Sequence, residues 1–200
     1  MRKVTSLKAL SDLYDEPMEL ALRKVAGRIT PLYKAWIVGA RFCVLSTVGP
    51  QGVHGSPRGD DGPVVRVVDE QTIHMPDWRG NNRIDALRDI VSDGRVALLF
   101  LVPGSNTTVR VNGRAFLTDD AALRAGFARG KIQPSTVIVI EVEEVFTQCA
   151  KALMRSGLWA RDDSAEVPTV GEILEDMTEG DISAKPYDQG YDEHAKPRMW

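Results

Sequence analysis

Two runs able to form strands, Phe42-Cys43-Val44-Leu45-Ser46-Thr47-Val48 and Val53-His54-Gly55-Ser56-Pro57-Arg58, are separated only by Gly49-Pro50-Gln51-Gly52. Gly and Pro are turn residues, so the two runs read as a hairpin. A parallel pair would need a crossover of roughly a dozen residues or more, which this spacing cannot supply. The rest of the chain continues in the same style. Val64-Val65-Arg66-Val67-Val68 and Thr72-Ile73-His74-Met75 flank the turn Asp69-Glu70-Gln71. The run Val96-Ala97-Leu98-Leu99-Phe100-Leu101-Val102 is continuously apolar, which predicts a strand buried on both faces. Residues 108–116 alternate with period two, as a half-buried strand does, and residues 136–142 are β-branched. Six to seven short antiparallel strands with small helices between them predict a mainly β chain, closed or partly closed as a barrel, rather than a doubly wound parallel sheet.

Helical spacing appears in five other places. Residues 5–40 carry apolar side chains at helical intervals on either side of Pro17 and Gly27, with Ile29, Leu32, Trp36 and Ile37 forming the later stripe. Residues 84–90 form a second stretch, for which Asn81 or Asn82 is a natural N-cap. Residues 121–130 read as a short helix, and residues 149–158 and 170–177 as two more. From Thr178 onward the chain is polar and reads as a loose tail that Tyr187, Tyr191 and Trp200 can tack down. The expected organisation is a helical segment over 1–40 packing on a barrel over 41–148, followed by helices and a tail over 149–200.

Charge and composition narrow the function. The formal net charge of -3 gives no basic face for nucleic acid. No apolar stretch is long enough to cross a bilayer and no signal-peptide pattern opens the chain, so a cytoplasmic protein is expected. Of the two cysteines, Cys43 sits in an apolar run and reads as a small hydrophobe, while Cys149 is far away with no CxxC spacing. His54, His74 and His194 stand in separate contexts, and neither HExxH nor GxSxG occurs. No metal site is expected, and catalysis by side chains alone is poorly supplied.

Four segments carry usable polar chemistry. In Pro76-Asp77-Trp78-Arg79-Gly80-Asn81-Asn82-Arg83, two arginines crowd a strand-to-helix turn. The first turn of a helix presents unpaired N–H groups, so an anion can sit there with arginines forked onto it; a capped helix with solvated arginines is the bland reading. In Ser56-Pro57-Arg58-Gly59-Asp60 the arginine reaches either a ligand or a surface carboxylate. Alternation along the strand at 107–114 places Thr108, Arg110, Asn112 and Arg114 on one face, toward solvent or toward a polar pocket. In Cys149-Ala150-Lys151-Ala152-Leu153-Met154-Arg155-Ser156-Gly157-Leu158-Trp159, Lys151 and Arg155 share a helix face, as a solvated stripe or around an anion.

The ordered set resembles the pyridoxamine 5′-phosphate oxidase-like FMN-binding split barrel. It rests on FCVLST at 42–47, SPRGD at 56–60, MPDWRGNNRIDAL at 75–87, VALLFLVPG at 96–104, TTVRVNGRAFL at 107–117 and CAKALMRSGLW at 149–159, and spans about residues 33–159. The resemblance implies a homodimer with FMN at the subunit interface, and the charge and hydropathy above imply no nucleic-acid or membrane partner. It implies that Arg79, Asn82 and Arg83 hold the phosphate, that Ser56 and Arg58 line the flavin, and that Thr108 and Arg110 contact the ring. Lys151, Arg155 and Ser156 are implied to reach across from the partner subunit. An FMN-dependent oxidoreductase acting on a small-molecule substrate or electron donor is the implied activity. The alternative is a non-catalytic protein that binds or stores flavin, haem or deazaflavin. Pyridoxamine 5′-phosphate oxidase proper ends in a substrate-binding run of Trp and Arg, whereas this chain ends in YDQGYDEHAKPRMW, so the substrate does not carry over.

Overall fold

A computed structural model describes residues 1–199. Seven strands form one antiparallel sheet: β1 (Phe42–Gly49), β2 (Gly52–Gly59), β3 (Arg66–Val67), β4 (Thr72–Asp77), β5 (Arg95–Leu101), β6 (Thr108–Thr118) and β7 (Thr136–Gln148). Their order is β2-β1-β5-β6-β7-β4-β3. The expected hairpin is present, with Gly49 opposite Gly52 at its turn. The two ends of the sheet, β2 and β3, share no backbone ladder, so the sheet is a split barrel rather than a closed one. β6 and β7 carry the longest pairing, bent by a bulge between Asn112 and Gly113. A Cβ at Gly113 would run into the Glu141 carbonyl, so only glycine admits that approach.

Leu45, Ile73, Leu98, Phe100, Val111, Ile138 and Ile140 are fully buried and form the centre of the core. β5 departs from expectation. Val96, Leu98 and Phe100 are buried, but Ala97, Leu99 and Leu101 are only partly covered, because no layer of this chain fully covers the second face. The expected strand over 64–68 shrinks to Arg66–Val67; Val64 and Val65 are buried without joining a ladder. Cys43 is buried and packs as a small hydrophobe, and burial pushes its thiol up to about 12.

The N-terminal helical stretch is broken into α1 (Leu7–Ser11), α2 (Glu19–Arg23) and α3 (Pro31–Val38). α1 and α2 bury no residue; packing on the sheet begins at Ala26, which bridges Val145, and continues through Ile29, Ile37 and Ala40. α4 (Asp85–Ser92) buries Ala86, Asp89 and Ile90 and lies against β1. α5 (Ala121–Ala125) and α6 (Lys151–Ser156) are single turns. α7 (Val170–Met177) matches the sequence expectation and opens with a capping box from Thr169 and Glu172. The loose tail expected beyond Thr178 instead contains α8 (Ala184–Ala195). Asp188 of α8 accepts bonds from the Gly171 N–H and the Thr169 hydroxyl, so polar caps rather than apolar burial hold that helix to α7. Tyr187 and Tyr191 make a tilted ring contact within α8, and Trp200 lies outside the described residues. No described helix is long and apolar enough to cross a membrane.

Candidate functional site

The split in the barrel opens into a cleft of about 890 Å³, between β2, β4 with the turn that follows it, and the start of β7. That volume lies within the usual range for small-molecule sites. Each wall has a local cause. Period-two alternation along β2 turns His54, Ser56 and Arg58 to the same side, and all are partly covered while Val53, Gly55 and Pro57 are exposed. Asp77, the last residue of β4, pairs with the Arg58 guanidinium at 2.5 Å, bridging the split that the backbone leaves open. Arg58 Nε and the hydroxyl oxygen of Thr136 are buried with no hydrogen-bond partner, and both residues line the cleft. Buried polar groups are almost always paired, so two orphans in one cleft call for a ligand that pairs with them.

The turn from β4 to α4 is irregular. The Asn81 side chain accepts from the Arg83 N–H at 3.0 Å, and Asn82 and Ile84 both adopt left-handed backbone conformations. Neither asparagine caps α4. Ile84 occupies that position and has no side chain able to accept, so the expectation of an Asn cap is corrected. The first N–H groups of α4 therefore keep their donor capacity beside Arg79 and Arg83. Arg83 itself pairs with Asp85 at 2.6 Å and is largely exposed, which differs from a guanidinium committed only to an anion.

One corner of the cleft is rigidified by an ionic cluster. Arg129 bonds both Asp60 and Asp61, the latter at 2.7 Å, and its guanidinium lies 5.3 Å over the Trp78 ring. The Trp78 indole N–H donates to Asp60 at 3.2 Å. The Arg129 guanidinium holds the Asp61 carboxyl below the ordinary aspartate range. At the other corner His54 Nδ1 and the Thr47 hydroxyl each lie 2.7 Å from Oδ2 of buried Asp89, which ties α4 to β1 and β2. Those two bonds hold the Asp89 carboxyl below its usual value.

Of the ten residues nominated from sequence, the fold brings Ser56, Arg58, Arg79, Asn82 and Arg83 into this cleft. The other five lie elsewhere. Thr108 is buried opposite Gln148, Arg110 lies 5.8 Å from the Phe146 ring, and Lys151, Arg155 and Ser156 sit exposed on α6. Thr108 and Arg110 flank Val109, which stands in register with Phe100, Cys43 and Arg58 across three strand spacings, roughly 15 Å at about 4.8 Å per strand, and none of the five lines the cleft. The remaining polar side chains on that face of β6 are already engaged: Asn112 donates to Glu144 at 2.5 Å and Arg114 to the Asp93 carbonyl at 2.7 Å. Among the described residues no cluster of His, Cys, Asp or Glu is placed to hold a metal ion.

The family model described as pyridoxamine 5′-phosphate oxidase matches residues 29–149, from the first buried residue of the N-terminal segment to just past the end of the sheet. The chain belongs to the pyridoxamine 5′-phosphate oxidase family. No curated protein matches it. Among solved structures, the Group A Streptococcus protein HupZ is 23% identical, with 60% of this chain and 93% of that one covered and a TM-score of 0.48. General Stress Protein 26 from Bacillus anthracis is 20% identical, covering 57% and 89%, with a TM-score of 0.43. An FMN-binding protein from Syntrophomonas wolfei is 15% identical, covering 59% and 86%, with a TM-score of 0.44. In this member of the pyridoxamine 5′-phosphate oxidase family, residues beyond the nominated set also build the cleft. His54, Asp60, Asp77 and Trp78 line it, and Arg129 braces it. His54 was legible from the alternation that groups Ser56 with Arg58. Arg129 had no sequence signal, since only the fold brings it to Asp60.

Proposed function

We propose that this family member binds FMN in the cleft between β2 and the β4–α4 turn, and that it is an FMN-dependent oxidoreductase working as a homodimer. The observation that carries the reading is the pair of orphaned polar atoms, Arg58 Nε and Thr136 Oγ1, in a cleft whose far wall is an uncapped helix N-terminus flanked by Arg79 and Arg83. A phosphate at the α4 end would meet backbone N–H groups, Arg79 and Arg83, with Asn82 shaping the turn. Ser56, Arg58 and Thr136 would then meet the polar edge of a planar ring, donating from Nε and from the hydroxyls. Flavin supplies hydride and single-electron transfer when bound, and this chain's own groups bind, orient and shield it.

A second copy enters the reading because Lys151, Arg155 and Ser156 lie on α6 and do not line the cleft; in a homodimer the partner subunit's α6 would supply them to FMN. Partly covered Leu99 and Leu101 on β5 are consistent with a further layer on that face. The test is the visible absorption spectrum of the purified protein, followed by the mass of any ligand released on denaturation. Flavin bands and a released mass equal to FMN support the reading; a colourless protein that ignores added FMN refutes it. Sedimentation of the yellow species then distinguishes dimer from monomer.

A further inference from the structure

His54 has a partner arrangement that a purely structural strand residue does not require. It lines the cleft and also a neighbouring cavity of about 500 Å³ on the far side of the 84–89 segment, so its ring forms part of the wall between them. Its Nδ1 lies 2.7 Å from Oδ2 of Asp89, whose side chain is 5% exposed and is also held by the Thr47 hydroxyl. An ionised carboxylate can only accept, so Nδ1 carries the proton in this pair. The neutral ring then has its lone pair on Nε2. Along β2, His54 stands two alternations from Arg58 on the same face, or roughly 13 Å at about 3.3 Å per residue. A ligand anchored at Arg58 and extending along the strand meets Ser56 and then His54.

We propose that His54 is the proton-accepting group of this cleft, with Asp89 as the positioning residue that fixes which ring nitrogen faces the ligand. The inference rests on the reading that the cleft holds a ligand beside Arg58. The ligand's matching feature is a hydroxyl or amine N–H or O–H directed at Nε2. The charged groups around His54 are Asp89, Asp85 and Arg88 from α4 and its approach, with Arg58 further along β2. The bonded neighbour of the His54 ring is the Asp89 carboxylate, which holds the proton on Nδ1.

The test is two-bond proton–nitrogen NMR of the imidazole rings in ¹⁵N-labelled full-length protein, recorded above neutral pH with and without saturating FMN. With three histidines in the chain, the His54 signals are those lost in His54→Asn. The expected result is an Nδ1–H tautomer in the wild type, a mixture of tautomers in Asp89→Asn, and displacement of the His54 Nε2 resonance when FMN binds. An Nε2–H tautomer in the wild type overturns the proposal, and that spectrum decides it even where Asp89→Asn does not fold. So does an unmoved Nε2 resonance in protein shown by fluorescence quenching to have bound FMN. Failure of FMN to bind refutes the flavin reading instead, and the tautomer then decides the role of His54 alone.

Discussion

Removing Arg58 should cost far more than a surface arginine does, because it closes the barrel's split through a nearly desolvated pair. The side chains of Arg58 and Asp77 are 18% and 14% exposed, and the link between them joins strands that share no ladder. Breaking a buried ion pair by deleting one partner costs about 3–5 kcal/mol. The residual exposure brings Arg58→Leu to or just below the bottom of that range, at about 2–3 kcal/mol, since water can partly reach the stranded Asp77 carboxylate. Asp77→Leu should cost less, about 1–2 kcal/mol, because a long guanidinium stem can swing its charge toward solvent. The double variant leaves no stranded charge, so it should be more stable than the sum of the singles predicts, by about 1.5 kcal/mol. Urea unfolding of flavin-free protein measures all four corners of the cycle, and removing ligand keeps binding from adding to apparent stability. Single effects that add to within about 0.5 kcal/mol would refute the argument, since they would show that the two side chains do not act on each other.

Other perturbations follow from the same structure. Asp89→Asn should lower stability at neutral pH by about 1.5–3 kcal/mol, the scale for hydrogen bonds to a charged group. The Asp89 carboxyl is held below its ordinary 3.8 in the folded protein, so its contribution is present above that value and fades as pH falls through the lower folded one. The gap between Asp89→Asn and wild type should therefore shrink in acid; a gap constant from neutral pH down to strong acid in thermal melts contradicts the assignment. Gly49→Ala places a methyl group inside contact distance of the Asp89 carboxylate and should destabilise by about 1–3 kcal/mol, read as a fall in melting temperature. For FMN, Arg79→Ala and Arg83→Ala should each raise the dissociation constant about tenfold, near 1.4 kcal/mol, because both arginines are exposed. Unchanged quenching titrations for both variants would remove the arginine turn from the site.

Much of the architecture followed from the sequence because it depends on short-range chemistry. A four-residue turn between two β runs forces antiparallel pairing, and alternation, β-branching or, for β5, a continuous apolar run marked β1, β2, β5, β6 and β7. Ser56, Arg58, Arg79, Asn82 and Arg83 were likewise legible, because each belongs to a short motif whose chemistry is complete within a few residues. What remained hidden depends on contacts between distant segments. Nothing in the turn sequence says that Ile84, in a left-handed conformation, displaces two better N-cap residues. α8 is polar all round and is held by Asp188 meeting the N-terminus of α7, a contact that no periodicity encodes. The pairings of Arg58 with Asp77, Arg129 with Asp60 and His54 with Asp89 join residues 19, 69 and 35 positions apart. The sequence alone determined which strands form, that they run antiparallel, and which motif arginines have the chemistry for an anion. Only the tertiary structure decided where the sheet splits and which side chains bridge the gap, because those depend on how strand curvature brings the two sheet edges together.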